Sequence, residues 1–311
     1  MTTIRSELRA TDTQSRVPVE ELELRAGGRR FFALADGPRE GPLVLLLHGF
    51  PELSRSWRHQ IRALGAAGYR SVAPDLRGYG RSDRTGPYDL RTLARDIAGL
   101  VEALGRERAV VVGHDWGGAV AWATAVHEPR VVERLAVLNC PHPGVLAEEM
   151  LRNPRQLLRS WYIFFFQLPW LPERLLARDG ARYVARALRG GAYVRGAFPA
   201  EELAVYREAF ARPGAARAAL GYYRAAIRGS VDLRREGRHH PIGVPALVIW
   251  GARDRFLGRE MADLAKMAKY FAPGNVPSVR FLEEAGHFVQ NEDPAGVNAE
   301  LLSWLGVARR A

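Results

Sequence analysis

Cysteine and lysine are almost absent from this chain of 311 residues: the single thiol is Cys140, and the only lysines are Lys266 and Lys269. One thiol excludes an intrachain disulfide and leaves no thiolate cluster for zinc, which fits a reducing, cytoplasmic compartment. No lysine sits in a P-loop. Neither Gly78-Tyr79-Gly80 nor the glycines of 113–118 have the spacing, or the downstream acid, of a dinucleotide site, so no cofactor is expected. The His239-His240 pair lacks the further ligands that a metal site needs. Long apolar runs are missing too. The densest patch, residues 161–170, is interrupted by Gln167 and Pro169 and falls far short of a membrane span. Residues 1–16 have no apolar stretch followed by a small-residue cleavage site and read as a loose tail, not a secretory leader.

The formal charge of +11 is carried by arginines spread through the chain, without a sustained run or an interleaved aromatic platform. That pattern describes a solvated basic surface, and no nucleic-acid partner is expected. Hydrophobic residues at 47% and charged residues at 25% read as a soluble globular protein of enzyme size. The length suits one large domain carrying an insertion. Whether it is a monomer or a homodimer is left open.

Residues 19–25 and 29–34 flank Gly27-Gly28 like a hairpin, and the unbroken apolar run 43–47 reads as a strand covered on both faces. Helical spacing follows over 57–64, a short strand over 69–73, and apolar residues at helix intervals over 90–104. Strand 109–112, helix 117–126 and strand 135–138 continue the alternation, which resumes with strands 246–250 and 279–282 and closes with helix 294–305. This predicts an α/β fold, a mostly parallel sheet with helices on both faces. Between 141 and 240 the strand signal disappears in favour of arginine- and alanine-rich helical segments, so a helical cap is expected there, inserted between core parts at 17–140 and 241–308.

Gly113-His114-Asp115-Trp116-Gly117-Gly118 joins an apolar strand to a helix, which places Asp115 on a tight turn of the nucleophile-elbow kind. The residue type decides the chemistry. A serine attacking a saturated carbon would leave an ether that water cannot readily release. A carboxylate leaves an ester whose carbonyl is open to hydrolysis. Asp115 therefore points away from ordinary ester cleavage and toward opening an epoxide or displacing a halide. Three more candidates follow strands: His48-Gly49-Phe50-Pro51, Asp254 and His287. Ligands of open α/β sheets lie beyond such strand ends, and the order nucleophile, acid, histidine is the one hydrolases of this architecture use.

Over residues 17–308 the chain resembles the α/β-hydrolase fold epoxide hydrolases. His48-Gly49-Phe50-Pro51 is similar to their HGxP element, Arg77-Gly78-Tyr79-Gly80-Arg81-Ser82-Asp83 to their loop after the next strand, and residues 113–118 to their nucleophile motif. The resemblance implies Asp115 as nucleophile, Asp254 as charge-relay acid and His287 as general base. It also implies the backbone N–H groups of Phe50 and Trp116 as an oxyanion hole, and a cis bond before Pro51. Two cap tyrosines that donate to the epoxide oxygen have counterparts in Tyr162, five residues before Gln167, and Tyr223. The Gly221-Tyr222-Tyr223-Arg224 context departs from the family's Asn-Trp-Tyr-Arg and leaves Tyr222 as the alternative.

The same branch contains haloalkane and haloacetate dehalogenases. The former resemble one another in a second halide N–H donor, from an asparagine after the His-Gly pair or another tryptophan; here that first position is Phe50. The latter have arginine after the nucleophile, where this chain has Trp116. Both departures favour a small hydrophobic epoxide and water as substrates, with a dehalogenase or a noncatalytic binding protein as alternatives. Trp57, Phe165 and Phe288 are expected to line the substrate pocket, with Phe164, Phe166, Leu168 and Trp170 as further candidates. His142 is expected to serve as a structural hinge at the cap entry.

Overall fold

The computed structural model describes residues 19–307 and, within them, every side chain except those of 229–239. The tail expected over residues 1–16 and the His239 side chain lie outside the described residues. Eight strands form one sheet: β1 (Glu20–Ala26), β2 (Arg29–Asp36), β3 (Leu43–Leu47), β4 (Arg70–Pro74), β5 (Ala109–His114), β6 (Val132–Leu138), β7 (Ala246–Gly251) and β8 (Ser278–Leu282), in the order β1-β2-β4-β3-β5-β6-β7-β8. β2 runs antiparallel to both of its neighbours, and all the other pairs are parallel. The chain reverses its direction of winding between β3 and β5, and that switch point is where a ligand crevice opens.

Strands β3, β4, β5 and β7 are buried throughout because both faces of the sheet are covered there, whereas the edge strands β1 and β8 are partly exposed. Alternate residues of β3 feed different cores: Leu43, Leu45 and Leu47 pack into one cluster, Val44 and Leu46 into the other. Helices α1 (Arg58–Ala66), α2 (Leu90–Ala103) and α3 (Trp116–His127) follow β3, β4 and β5. Between β6 and β7 the cap contains helices and no strand: α4 (Pro143–Arg152), α5 (Pro154–Arg159), α6 (Trp161–Phe165), α7 (Leu171–Gly191), α8 (Ala200–Ala211) and α9 (Ala215–His239). Short helices α10 (Leu264–Met267) and α11 (Val289–Glu292) precede α12 (Pro294–Trp304). No helix among the described residues is long and apolar enough to cross a membrane.

His142 caps α4 by accepting the Gly144 N–H at 3.1 Å, and its ring stacks on Tyr270 at 3.9 Å. Burial lowers its pKa to about 3, so it stays neutral and carries structure at the cap entry.

Candidate active site

Asp115 follows β5 with φ of 49° and ψ of −119°, a conformation that costs on the order of 1–3 kcal/mol outside glycine and persists only when its surroundings impose it. Its N–H donates to Leu138 O at 3.3 Å, and its carbonyl accepts the Ala119 N–H at 2.9 Å. The glycines around it permit close approach. A Cβ on Gly117 would lie 2.1 Å from Leu47 O, and one on Gly49 would lie 2.5 Å from the Asp115 Cβ. The Phe50 N–H donates to Asp115 Oδ1 at 2.7 Å, so the loop after β3 grips the carboxylate that β5 presents. The Phe50-Pro51 bond is cis. Trp116 opens α3, where a backbone N–H has no intrahelical acceptor and is free to face an oxygen on Asp115.

His287 Nε2 lies 3.6 Å from Asp115 Oδ2, too far for a hydrogen bond. Its Nδ1 donates to Asp254 Oδ2 at 2.8 Å. Burial alone would lower the imidazole pKa, but the charge of Asp254, its hydrogen bond to the ring and the nearby Asp115 carboxylate raise it well above its ordinary value. Burial pushes the Asp115 carboxyl up. The His287 ring 3.6 Å away, the His114 charge and the Phe50 N–H outweigh it and leave the pKa lowered, so Asp115 is ionised at rest.

A cavity of about 460 Å³ opens onto this carboxylate, lined by Phe50, Asp115, Tyr162, Tyr223 and His287, with Phe166, Phe256 and Phe288 as apolar wall. The Tyr162 and Tyr223 rings are 6.1 Å apart. Burial, reinforced by the Asp115 charge, raises both phenol pKa values, which keeps them protonated donors. Tyr222 is turned away: its hydroxyl donates to Arg77 O at 2.7 Å and its ring stacks on Tyr88. Consecutive residues of a helix point about 100° apart, so α9 can aim one of the two at the cavity, and that one is Tyr223. Gln167 ties the tyrosine-bearing segments together, donating to Ile163 O at 2.9 Å and to Tyr223 O at 3.4 Å.

Two expected pocket residues lie elsewhere. Trp57 is fully buried in the cluster with Val44 and Leu46, on the sheet face opposite the one that packs with the cap, and cannot reach the cavity. Phe165 follows its i+4 partner Trp161, 6.0 Å away, while Phe166 follows Tyr162 to the wall. Phe164, Leu168 and Trp170 are exposed. The Trp116 indole packs edge-on against Tyr223, with ring centroids 4.9 Å apart.

A profile of the α/β-hydrolase fold matches residues 42–294. The AB hydrolase superfamily protein YfhM of Bacillus subtilis is 42% identical over 275 residues, 87% of this chain and 92% of that one. Human Epoxide hydrolase 4 is 38% identical over 293 residues, 91% of this chain and 78% of the relative. The chain belongs to the α/β-hydrolase fold epoxide hydrolase family. An epoxide hydrolase of Bacillus megaterium, solved with an inhibitor, shares the fold with a TM-score of 0.81 at 30% identity, over 92% of this chain and 100% of that one.

This epoxide hydrolase family member supports Asp115, Asp254 and His287 with groups that sequence reasoning passed over. Asn139, at the end of β6 with φ of 40°, donates to Asp254 Oδ2 at 2.8 Å and accepts the Gly251 N–H at 2.8 Å. Asp254 Oδ1 accepts the N–H groups of Phe256 and Leu257, so four donors, His287 included, hold this carboxylate. Glu52 is fully buried and accepts from Gly49 N–H, Ser56 Oγ and His114 Nδ1. The other nitrogen of His114 donates to the His287 carbonyl at 2.8 Å. The Glu52–His114 pair thus links the loop after β3, the strand before Asp115 and the His287 loop. Glu292 clamps that last loop, accepting the N–H groups of Gly286 and Phe288 together with Tyr193 and Val194 from the cap. Among the described residues no group of three or more His, Cys, Asp or Glu could hold a metal ion.

Proposed function

We propose that the chain hydrolyses a hydrophobic epoxide to a vicinal diol through a covalent ester on Asp115. The observation that carries this reading is the presence of two protonated phenols, Tyr162 and Tyr223, in one mostly apolar cavity with an ionised carboxylate. An epoxide has no leaving group that departs unaided, and the developing alkoxide needs donors placed where its charge appears.

In the first step an Asp115 oxygen attacks a ring carbon. The C–O bond breaks, and the ring oxygen takes a proton from one of the two phenols. The ester carries no charge, so His287 loses one of the two carboxylates that hold its proton, and that proton restores the tyrosinate. The neutral imidazole, oriented by Asp254, then removes a proton from water. The resulting hydroxide attacks the Asp115 carbonyl, and the oxyanion faces the N–H groups of Phe50 and Trp116. Collapse breaks the acyl–oxygen bond, and the departing alkoxide takes the proton of the new carboxyl group. Diol leaves, with Asp115 and the imidazolium in their starting states.

The test is a panel of styrene-type, aliphatic and fatty epoxides beside matched haloalkanes and fluoroacetate, following diol and halide release. Tyr162→Phe with Tyr223→Phe lowers diol formation by roughly 10²-fold to 10⁴-fold, the usual scale of general acid catalysis. Tyr222→Phe keeps the activity and costs about 1–3 kcal/mol of stability, because the buried Arg77 carbonyl loses its donor. Halide release that survives loss of both cavity tyrosines would make the protein a dehalogenase.

A further inference from the structure

Among the described residues thirteen large apolar side chains are exposed, and eight of them fall within residues 151–171, the segment from the end of α4 to the start of α7. Trp161 is 58% exposed, Trp170 69% and Leu158 74%. A patch this dense is not ordinary surface; it marks an interaction site. Its charge is of one sign. No Asp or Glu occurs from 150 to 172, whereas Arg152, Arg155 and Arg159 are interleaved with the apolar residues and are exposed. The flanking acids are already neutralised: Glu148 by Lys269 at 2.5 Å, Glu149 by Lys266 at 2.8 Å and Glu173 by Arg224 at 2.6 Å. The two lysines of the chain are thus spent beside this patch, and the three arginines make no ion pair among the described residues.

We propose that the cap face formed by residues 151–171 docks on an anionic phospholipid surface. A second copy of the chain is the poorer fit, because a two-fold contact would set the same three arginines against themselves. Exposed tryptophan and leucine among arginines suit the lipid interface, where indoles sit at headgroup level and cations meet anionic lipid. Leu158, Arg159 and Trp161 are both exposed and part of the cavity lining, so the cavity mouth opens in this face. On the reading of the site as one for a hydrophobic epoxide, substrate dissolved in the lipid enters without crossing water; the docking itself does not depend on that reading.

The test is sedimentation of the full chain with vesicles of phosphatidylcholine mixed with phosphatidylglycerol, and of phosphatidylcholine alone. The protein is expected to pellet with the mixed vesicles and far less with the neutral ones. Trp170→Ser with Leu171→Ser, and separately Arg152→Gln with Arg155→Gln, are expected to weaken that binding by roughly tenfold or more. None of these four residues lines the cavity, so diol formation from a water-soluble epoxide without vesicles reports an intact fold. Failure to bind mixed vesicles, binding indifferent to lipid charge, or binding unchanged in both variants overturns the proposal. So does a dimer that the Trp170/Leu171 variant abolishes while vesicles remain unbound, which assigns the face to a second copy. If vesicle binding holds but no epoxide turns over, the docking stands and the reading of the site falls.

Discussion

Replacing His287 by Gln leaves the first chemical step and stops the second. Asp115 keeps its place on the elbow and the Phe50 N–H on its Oδ1, so an epoxide still alkylates it. Water is no longer activated, and the ester accumulates to one per protein, read as a mass increase equal to one substrate. Steady-state turnover falls by on the order of 10³-fold or more. The pH dependence of the unaltered protein separates the same two steps. The lowered Asp115 pKa keeps the nucleophile ionised below the usual carboxylate range, so ester formation persists as pH falls. Hydrolysis needs a neutral His287, whose pKa is raised at rest and comes down only when esterification removes the Asp115 charge. Lowering the pH therefore reprotonates the base first. The expected result in acid is a preserved burst of ester with a falling diol rate, checked by rapid quench and mass spectrometry.

Replacing Asp115 by Ala removes both steps. No other carboxylate lines the cavity, since Asp254 is turned into its four donors behind His287. Diol formation falls by at least on the order of 10⁴-fold, and no adduct forms. The folded protein is expected to lose some stability, because the lowered Asp115 pKa means that the fold favours the ionised carboxylate despite its burial, and alanine is no better suited than aspartate to a φ of 49°. A cooperative melting transition lowered only slightly from that of the parent, with activity gone, separates loss of chemistry from loss of fold.

That Asp115, Asp254 and His287 come together at the cavity was legible in the sequence because their signals are local. A strand, a glycine-flanked turn and a helix lie together within residues 109–127 around Asp115, and Asp254 and His287 each follow a strand. The supporting groups were not legible, because their roles exist only across the fold. Glu52 meets His114 62 positions away, and Glu292 reaches Tyr193 99 positions away. An acid beside HGxP and a histidine before the nucleophile were in view, but nothing local pairs them. The aromatic residues show the same limit from the other side. Trp57 was expected at the substrate pocket, but an aromatic side chain alone does not say which face of the sheet it joins, and it joined the far one. Family context alone favoured Tyr223 over Tyr222, and the physical reason, the Arg77 carbonyl holding the Tyr222 hydroxyl, is visible only in the fold.

The covalent ester is the claim on which the rest depends, and isotope transfer tests it directly. The protein in excess over epoxide is allowed a single turnover in water labelled with heavy oxygen. Attack by Asp115 places an unlabelled carboxylate oxygen in the diol, and hydrolysis at the ester carbonyl leaves label in the peptide containing Asp115. Label in the diol with an unlabelled Asp115 peptide would mean that water attacked the epoxide itself, and would contradict the ester.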